Sequence, residues 1–451
     1  MRLFLAILIC KLSRAAIRLL GRGGTSLPGK LALRIHPHII KVLSKGIDTV
    51  LITGTNGKTT TARMTEKMLN DAGKDCFANR SGANLEQGIA IEYIANANAF
   101  GRAKKKYAVI ECDEAAFKKV CPETCPKAVL VTNIFRDQLD RFGEISETIN
   151  SIKEGLKNSP HTVLCLNADC SLTSSLAIDR QGKTVFYGIN EGGDSLPCVS
   201  DANHCIRCGA VYNYEYRTFA HLGSFSCPDC GYKRQSPDIS VSKIEYLGRD
   251  SSEIIIKEGK NEFKAEIALP ALYNIYNALA AMSAAYALGI SAENAAKSLS
   301  GIKSSFGRME SFIIGESRIK MILVKNPAGC DRAIEYMSGS TEKFDAVICL
   351  NDAPSDGTDI SWIWDCDFEG LFENESCSKI IVSGTRARDM RLRLKYAGGD
   401  ESRMTIIDDD AELIKAVLAL RNQVYIMPTY SAMLKLRGSL AELGGKKEYW
   451  K

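Results

Sequence analysis

The first 47 residues contain no aspartate or glutamate, although nine lysines or arginines stand among them. The rest of the 451-residue chain is therefore near −4, against a total of +5. So mild a balance makes no case for nucleic acid as a partner. Long apolar runs are missing too. MRLFLAILIC begins like a signal peptide, but only eight apolar residues precede Lys11 and no small-residue cleavage site follows. No stretch approaches the roughly 20 apolar residues of a membrane span. Histidine is scarce, with His36, His38, His161, His204 and His221 the full set, so residues 222–451 offer no imidazole for acid–base work. There is no internal repeat and no low-complexity tract.

Cysteine is the surplus, at sixteen. The chain is too large for a small disulfide scaffold, and most of its cysteines fall in apolar strands, which fits a reducing cytosol. Four have metal spacing. CIRCG (205–209) and CPDCG (227–231) place Cys205, Cys208, Cys227 and Cys230 in two knuckles eighteen residues apart. That spacing fits a tetrahedral Zn²⁺ of ribbon type. Four thiolates leave no position for water, so the expected role is structural. Cys121 and Cys125 are read as unligated, and His204 as surface.

Lys11, Arg14, Arg18 and Arg22 recur at helical spacing opposite Leu and Ile. This is a basic amphipathic helix, either packed on its own protein or resting on an anionic membrane surface. GRGGTSLPGK (21–30) punctuates the chain, so 1–45 is expected to be a short appendage. From Asp48 onward, apolar strands such as DTVLIT, AVIECD and AVLVTN alternate with helical stretches such as TTARMTEKMLNDAG. That rhythm predicts a parallel α/β sheet with helices on both faces. It breaks at about 195–240, read as an insertion carrying the cysteines. It resumes from about 306, where IKMILVKN, DAVICL and KIIVSG predict a second, Rossmann-like sheet.

LITGTNGKTTT (51–61) sets a glycine loop between a strand and a helix. The backbone amides of Gly54, Thr55, Asn56, Gly57 and Lys58 can cradle phosphates, with Lys58 reaching the terminal ones and the Thr59 hydroxyl binding Mg²⁺. Thr60 completes the loop's helical end. Further along stand ECDEAAF (111–117), NIFRDQLDRFG (133–143), NADC (167–170), YNIYN (273–277), GRME (307–310) and KNPAG (325–329).

This series resembles the Mur ligases and their relatives, the ATP-dependent amide-forming enzymes of peptidoglycan and polyglutamate synthesis. The resemblance covers roughly 45–451. It implies a central P-loop ATPase domain (46–305) with a four-cysteine zinc ribbon inserted, followed by a Rossmann-like α/β domain (306–451). It also implies ATP and Mg²⁺, with a substrate carboxylate activated as an acyl phosphate and attacked by an amine. By resemblance Lys58 and Thr59 hold phosphates and the first Mg²⁺, Asn277 lies near the adenine, and Arg308 near the γ-phosphate. Either Glu111 or Glu114 binds a second metal.

Two departures bear on function. The family usually has Asp-His where this chain has Asp137–Gln138, so a metal-binding imidazole is replaced by an amide. The domain with which many Mur ligases grip a UDP-linked substrate has no counterpart, and 45 basic, apolar residues stand in its place. That suits a lipid-linked precursor at the inner membrane face of the cytoplasm. Together with the ribbon and the DGTDISWIWD segment, the resemblance implies amidation of the D-glutamate α-carboxyl of the lipid II stem peptide, with glutamine as nitrogen source. A GatD-type glutaminase would be a separate subunit. The residues agree, since no cysteine sits in a Gly-flanked nucleophile turn, Arg2 excludes an N-terminal cysteine, and imidazole is absent after His221. The alternative is a stand-alone amino-acid-adding ligase of the Mur or folylpolyglutamate type.

NDAPSDGTDISWIWDCDFE (351–369) joins five aspartates to two of the three tryptophans. A partner's Cys–His pair needs an acid to orient its imidazole. This loop is expected to supply one. Asp356, beside Gly357, is the first choice and Asp359 the second.

Overall fold

The computed structural model describes residues 1–19, 26–79, 83–136, 145–192, 201–248, 250–302, 308–373 and 375–445. The chain divides into two compact units, 1–135 with 145–303, and 304–451 with 136–144.

The larger sheet of the first unit takes strands β1 (Asp48–Thr53), β2 (Cys76–Ala78), β3 (Tyr107–Glu111), β4 (Ala128–Val131), β5 (Val163–Asn167) and β6 (Thr184–Ile189). A small hairpin, β7 (Asn213–Phe219) and β8 (Leu222–Ser226), stands apart from it. β9 (Ile239–Leu247), β10 (Ser252–Glu258) and β11 (Asn261–Ile267) complete the nine-stranded order 11-10-9-6-5-4-1-3-2. The run from β2 to β9 is parallel, and β10 and β11 add an antiparallel edge. The inner strands read as unbroken apolar runs because helices cover both faces, and Val50, Ile110, Val129 and Leu164 are fully buried. β1 lies between β3 and β4, where the order reverses. Open α/β sheets bind ligands beyond the strand ends at such a point.

The helix Leu272–Ala287 is buried on nearly every side. Its alanines at 278, 280, 281, 284 and 285 let the sheet and the helix Lys58–Asp71 approach closely. A larger side chain at Ala281 would overpack the core at a cost of about 1–3 kcal/mol.

The N-terminal segment is no appendage. The helix Arg2–Leu19 buries Ala6, Ile7 and Cys10 within the first unit. Its orientation is the reverse of a simple basic outer face. Lys11 Nζ donates to Ala97 O (2.6 Å), and Arg14 pairs with Glu92 (3.2 Å). Arg22, and the side chain of Arg18, lie outside the described residues.

The second unit holds a six-stranded sheet of order 12-13-17-14-15-16, built from β12 (Arg308–Ile314), β13 (Ser317–Ile322), β14 (Phe344–Cys349), β15 (Cys377–Ser383), β16 (Met404–Ile406) and β17 (Gln423–Pro428). β12 is antiparallel to β13, and the other pairs are parallel. Phe312, Met321, Val347, Ile426 and Leu436 centre its core.

Candidate functional site

β1 ends in Gly54-Thr55-Asn56-Gly57, and Lys58 opens the next helix. Two glycines are dictated by space as well as conformation. Gly54 (φ 119°) and Gly57 (φ 83°) lie in the left-handed region. A methyl group on Gly54 would run into Thr132, and one on Gly57 into the Asn277 amide. Residues after β4 clamp the loop from outside. Thr55 N donates to Asn133 O (3.0 Å), Asn56 N to Asn133 Oδ1 (2.9 Å), and Thr132 Oγ1 to Asn56 O (2.7 Å). Thr55 Oγ1 accepts from Phe135 N (3.0 Å) and faces Phe135 O (3.2 Å). Thr60 is buried on the helix.

Lys58 is buried, with Nζ on Gly54 O (2.5 Å) and Glu114 Oε1 (2.9 Å). Burial pulls its pKa down, but Glu114, Glu111 and Asp113 outweigh this and hold it above the ordinary lysine value. The ammonium is charged before any phosphate arrives. Thr59 Oγ1 donates to Glu111 Oε2 (2.8 Å), while Asn79 grips the Glu111 backbone on both sides (2.7 and 2.8 Å). The two acids left open by the sequence thus have different neighbours. Glu111 shares a position with Thr59, where a hydroxyl and a carboxylate together suit a hard cation, whereas Glu114 is the counter-ion of Lys58.

Asn277 lies beneath the loop. Its Oδ1 accepts from Thr61 Oγ1 (3.3 Å), and its Nδ2 donates to Asn274 (3.2 Å). Arg308 opens β12, with its side chain outside the described residues. Asp137 and Gln138 also lie outside them.

A buried acid that sequence reasoning did not single out sits beside this site. Asp169, in NADC, is wholly buried and accepts from Arg234 Nε (2.6 Å), Tyr276 OH (2.7 Å) and Ile189 N (2.8 Å). Burial raises its pKa, and Arg234 opposes the rise. Tyr276 OH also meets Thr218 Oγ1 (2.6 Å). One carboxylate therefore ties the long helix to the β7–β8 hairpin. Tyr276 neighbours Asn277 in YNIYN, and that motif was the only signal for the link.

The hairpin belongs to the cysteine ribbon. The four Sγ atoms lie within 4.8 Å of one another. Cys205 to Cys230 is 3.6 Å and Cys208 to Cys227 is 3.4 Å. Tetrahedral zinc with ~2.3 Å bonds sets its thiolates ~3.8 Å apart, so the cluster fits the ion. Each Cys-x₂-Cys-Gly knuckle closes on a left-handed glycine, Gly209 (φ 83°) or Gly231 (φ 71°). Burial of Cys205 is outweighed by the Arg207 and Cys208 amides and Tyr212, which bring the thiol down to about 6. Tyr212, Phe225 and Tyr232 pack beneath.

In the second unit the acidic loop sits at the ends of β14, β15 and β17. Asp356 is not presented outward as expected. It is buried, accepting Ser431 N and Oγ (both 2.6 Å), and so caps the helix Tyr430–Leu443, whose positive N-terminal dipole favours a carboxylate. Asp359 is half-buried and accepts Ser361 N (2.8 Å). Trp364 is 50% exposed and meets Tyr396 edge-on at 5.8 Å. Trp362 is half-buried.

Comparison with known proteins agrees with this architecture. Residues 52–204 match the Mur ligase middle domain, and residues 323–433 match the MurT ligase C-terminal family. The chain is 34% identical over 442 residues to the lipid II isoglutaminyl synthase (glutamine-hydrolyzing) subunit MurT of Streptococcus pneumoniae, covering 97% of this chain and 96% of that one. It is also 34% identical to the subunit of that name from Staphylococcus aureus, over 88% of each chain. Among solved structures, MurF from Acinetobacter baumannii aligns with a TM-score of 0.68 at 18% identity, over 92% of this chain and 80% of that one. A folylpolyglutamate synthase from Mycobacterium tuberculosis aligns at 0.61 and 12% identity, over 99% and 96%. At such identities these two speak for the fold alone.

Proposed function

This chain belongs to the MurT family of lipid II isoglutaminyl synthase subunits, and from that membership and the phosphate-loop geometry we propose that it amidates the D-glutamate α-carboxyl of the lipid II stem peptide. The carrying observation is the placing of buried Lys58 and the Thr59–Glu111 pair at one loop, on the strand where the sheet order reverses. A carboxylate oxygen of the stem peptide attacks the γ-phosphorus of ATP, and ADP leaves. Ammonia then attacks the acyl carbon, phosphate departs, and the amide remains after loss of a proton. Lys58 neutralises the transferring phosphoryl, the loop amides hold the phosphates, and Thr59 with Glu111 holds Mg²⁺, which would screen the developing charge. Asn277 holds the loop from below, close to where the nucleotide enters, and Arg308 serves the γ-phosphate. Cys205, Cys208, Cys227 and Cys230 hold a structural Zn²⁺.

Ammonia comes from a separate GatD-type glutaminase. Trp364 with exposed Tyr396 and Leu392 supports a docking face beside the acidic loop. Asp359 is the more accessible acid for completing the partner's site, and Asp356 serves only if Ser431 releases it. The enzyme works in the cytoplasm at the inner membrane face. The test is the chain with lipid II, ATP and glutamine, with and without the glutaminase. Amidation only with both subunits, and ammonia replacing the glutaminase, is the expected result. Amino-acid addition by the lone chain would replace this reading with a stand-alone ligase.

A further inference from the structure

The helix Arg2–Leu19 turns Lys11 and Arg14 inward and Leu5, Leu8 and Leu12 outward. Lys11 and Arg14 are engaged with Ala97 O and Glu92. Leu5, Leu8 and Leu12 (61% exposed) instead form a stripe with Met1 and Phe4 at helical spacing along the solvent face. A second segment joins them. Phe100, 79% exposed on the turn after the helix Glu86–Asn96, puts its ring 6.2 Å from that of Phe4. That turn is seated on the helix, since a methyl group on Gly101 would lie 3.0 Å from Leu3 Cδ2. The apolar row is rimmed with positive charge, from Arg2 on the helix and Arg102 and Lys104 just past Phe100, all exposed. Residues 1–47 carry no acid, and neither does the run GRAKKK (101–106).

We propose that this face lies on an anionic lipid surface, with Phe4, Leu5, Leu8, Leu12 and Phe100 entering the headgroup boundary and the basic rim meeting lipid phosphates. Charge decides the occupant. A second copy docking by the same face would set one basic rim against another, whereas an anionic bilayer complements it. The helix lies in the interface and does not cross, since no helix among the described residues is long and apolar enough to span a membrane. The inference deepens the lipid II reading, on which its purpose rests. A phosphate loop working on a lipid-linked stem peptide is served by an enzyme held at the same surface.

The test uses the full chain and vesicles of phosphatidylglycerol with cardiolipin, against phosphatidylcholine, with no enzyme substrate present. Flotation should show binding to the anionic vesicles only, weakening as salt rises. Leu8→Glu with Leu12→Glu should cut that binding by about tenfold or more, since each change removes buried apolar area and adds repulsion. Phe100→Ser, on a separate turn, should lower it in the same direction should the double variant fold poorly. Amidation of a water-soluble stem-peptide analogue should be unchanged in all three proteins. Wild-type chain that ignores anionic vesicles, or variants that bind as well as wild type, would overturn the proposal. So would a wild-type dimer that the glutamates dissociate. An enzyme inactive on every analogue but still bound to vesicles would sink the amidation reading and leave this one standing.

Discussion

The imidazole of His221 lies 4.6 Å from the ring of Phe135, centroid to centroid. Phe135 is the residue whose backbone holds Thr55 of the phosphate loop, and His221 sits at the tip of the cysteine ribbon's hairpin. The cysteine ribbon and the glycine loop are thus two contacts apart. His221 is wholly buried, with Nε2 3.3 Å from Cys170 Sγ.

Burial, with a smaller push from Arg217, lowers the His221 pKa from 6.5 to about 3. Below pH 6.5 the unfolded chain therefore takes up a proton that the folded chain refuses. The stability contributed by the neutral ring is complete above pH 6.5. It should fall by about 1.4 kcal/mol per pH unit from there toward pH 3. His221→Leu should flatten that slope in urea titrations run at pH 4.5, 5.5 and 7. An unaltered slope would mean that other groups cause it.

Cys208→Ser removes an exposed cysteine of the proposed zinc site, not a core residue. Zinc content should drop from about one ion per chain to near zero. The KM for ATP should rise several-fold, because a loosened hairpin no longer braces Phe135. Zinc-free protein with an unchanged KM would disconnect ribbon and loop.

Glu111→Gln and Glu114→Gln should behave differently. Glu111→Gln should raise the Mg²⁺ concentration needed for half-maximal activity about tenfold, with the melting temperature little altered. Glu114→Gln leaves Lys58 buried without its counter-ion, at a cost of about 3–5 kcal/mol. Added ATP should recover much of that loss by binding the folded state. Equal Mg²⁺ requirements in the two variants would return the choice of metal ligand to where the sequence left it.

Gly57→Ala and Gly209→Ala share a left-handed backbone, but only the first meets an obstacle. Gly209→Ala should cost about 1–2 kcal/mol for its backbone alone. Gly57→Ala should cost more and weaken ATP binding at least about tenfold, because the Asn277 amide must move. Denaturant titration and nucleotide calorimetry read the two effects separately.

Asp359→Asn should sharply lower glutamine hydrolysis in the complex, and with it glutamine-dependent amidation, while free ammonia should restore amidation alone. Asp356→Asn should instead lower the melting temperature by weakening the cap on Tyr430–Leu443, a loss of about 1 kcal/mol. Rescue of Asp356→Asn by ammonia at unchanged stability would make Asp356 the orienting acid after all.

The parallel strands were legible because burial on both faces writes them as apolar runs, and β1 coincides with DTVLIT while β4 falls within AVLVTN. β9 to β11 were not, since a half-exposed edge breaks its apolar runs with Lys and Glu. At the site, local chemistry was readable and distant partners were not. GTNGKTT declares a phosphate loop, but nothing near Asp169 announces Arg234 or Tyr276, 65 and 107 positions away. Asp356 beside Gly357 reads as an exposed turn, and only Ser431, 75 residues later, buries it.

The bond between Thr61 and Asn277 spans 216 positions. A ribosome adding about 5–20 residues per second needs roughly 10–40 s to cover that distance. Throughout that interval the nascent glycine loop has emerged without the helix on which it rests. Nucleotide affinity therefore arrives late in biogenesis, after the cysteine ribbon has been made, and a chain stalled before Leu272 would lack a finished ATP site.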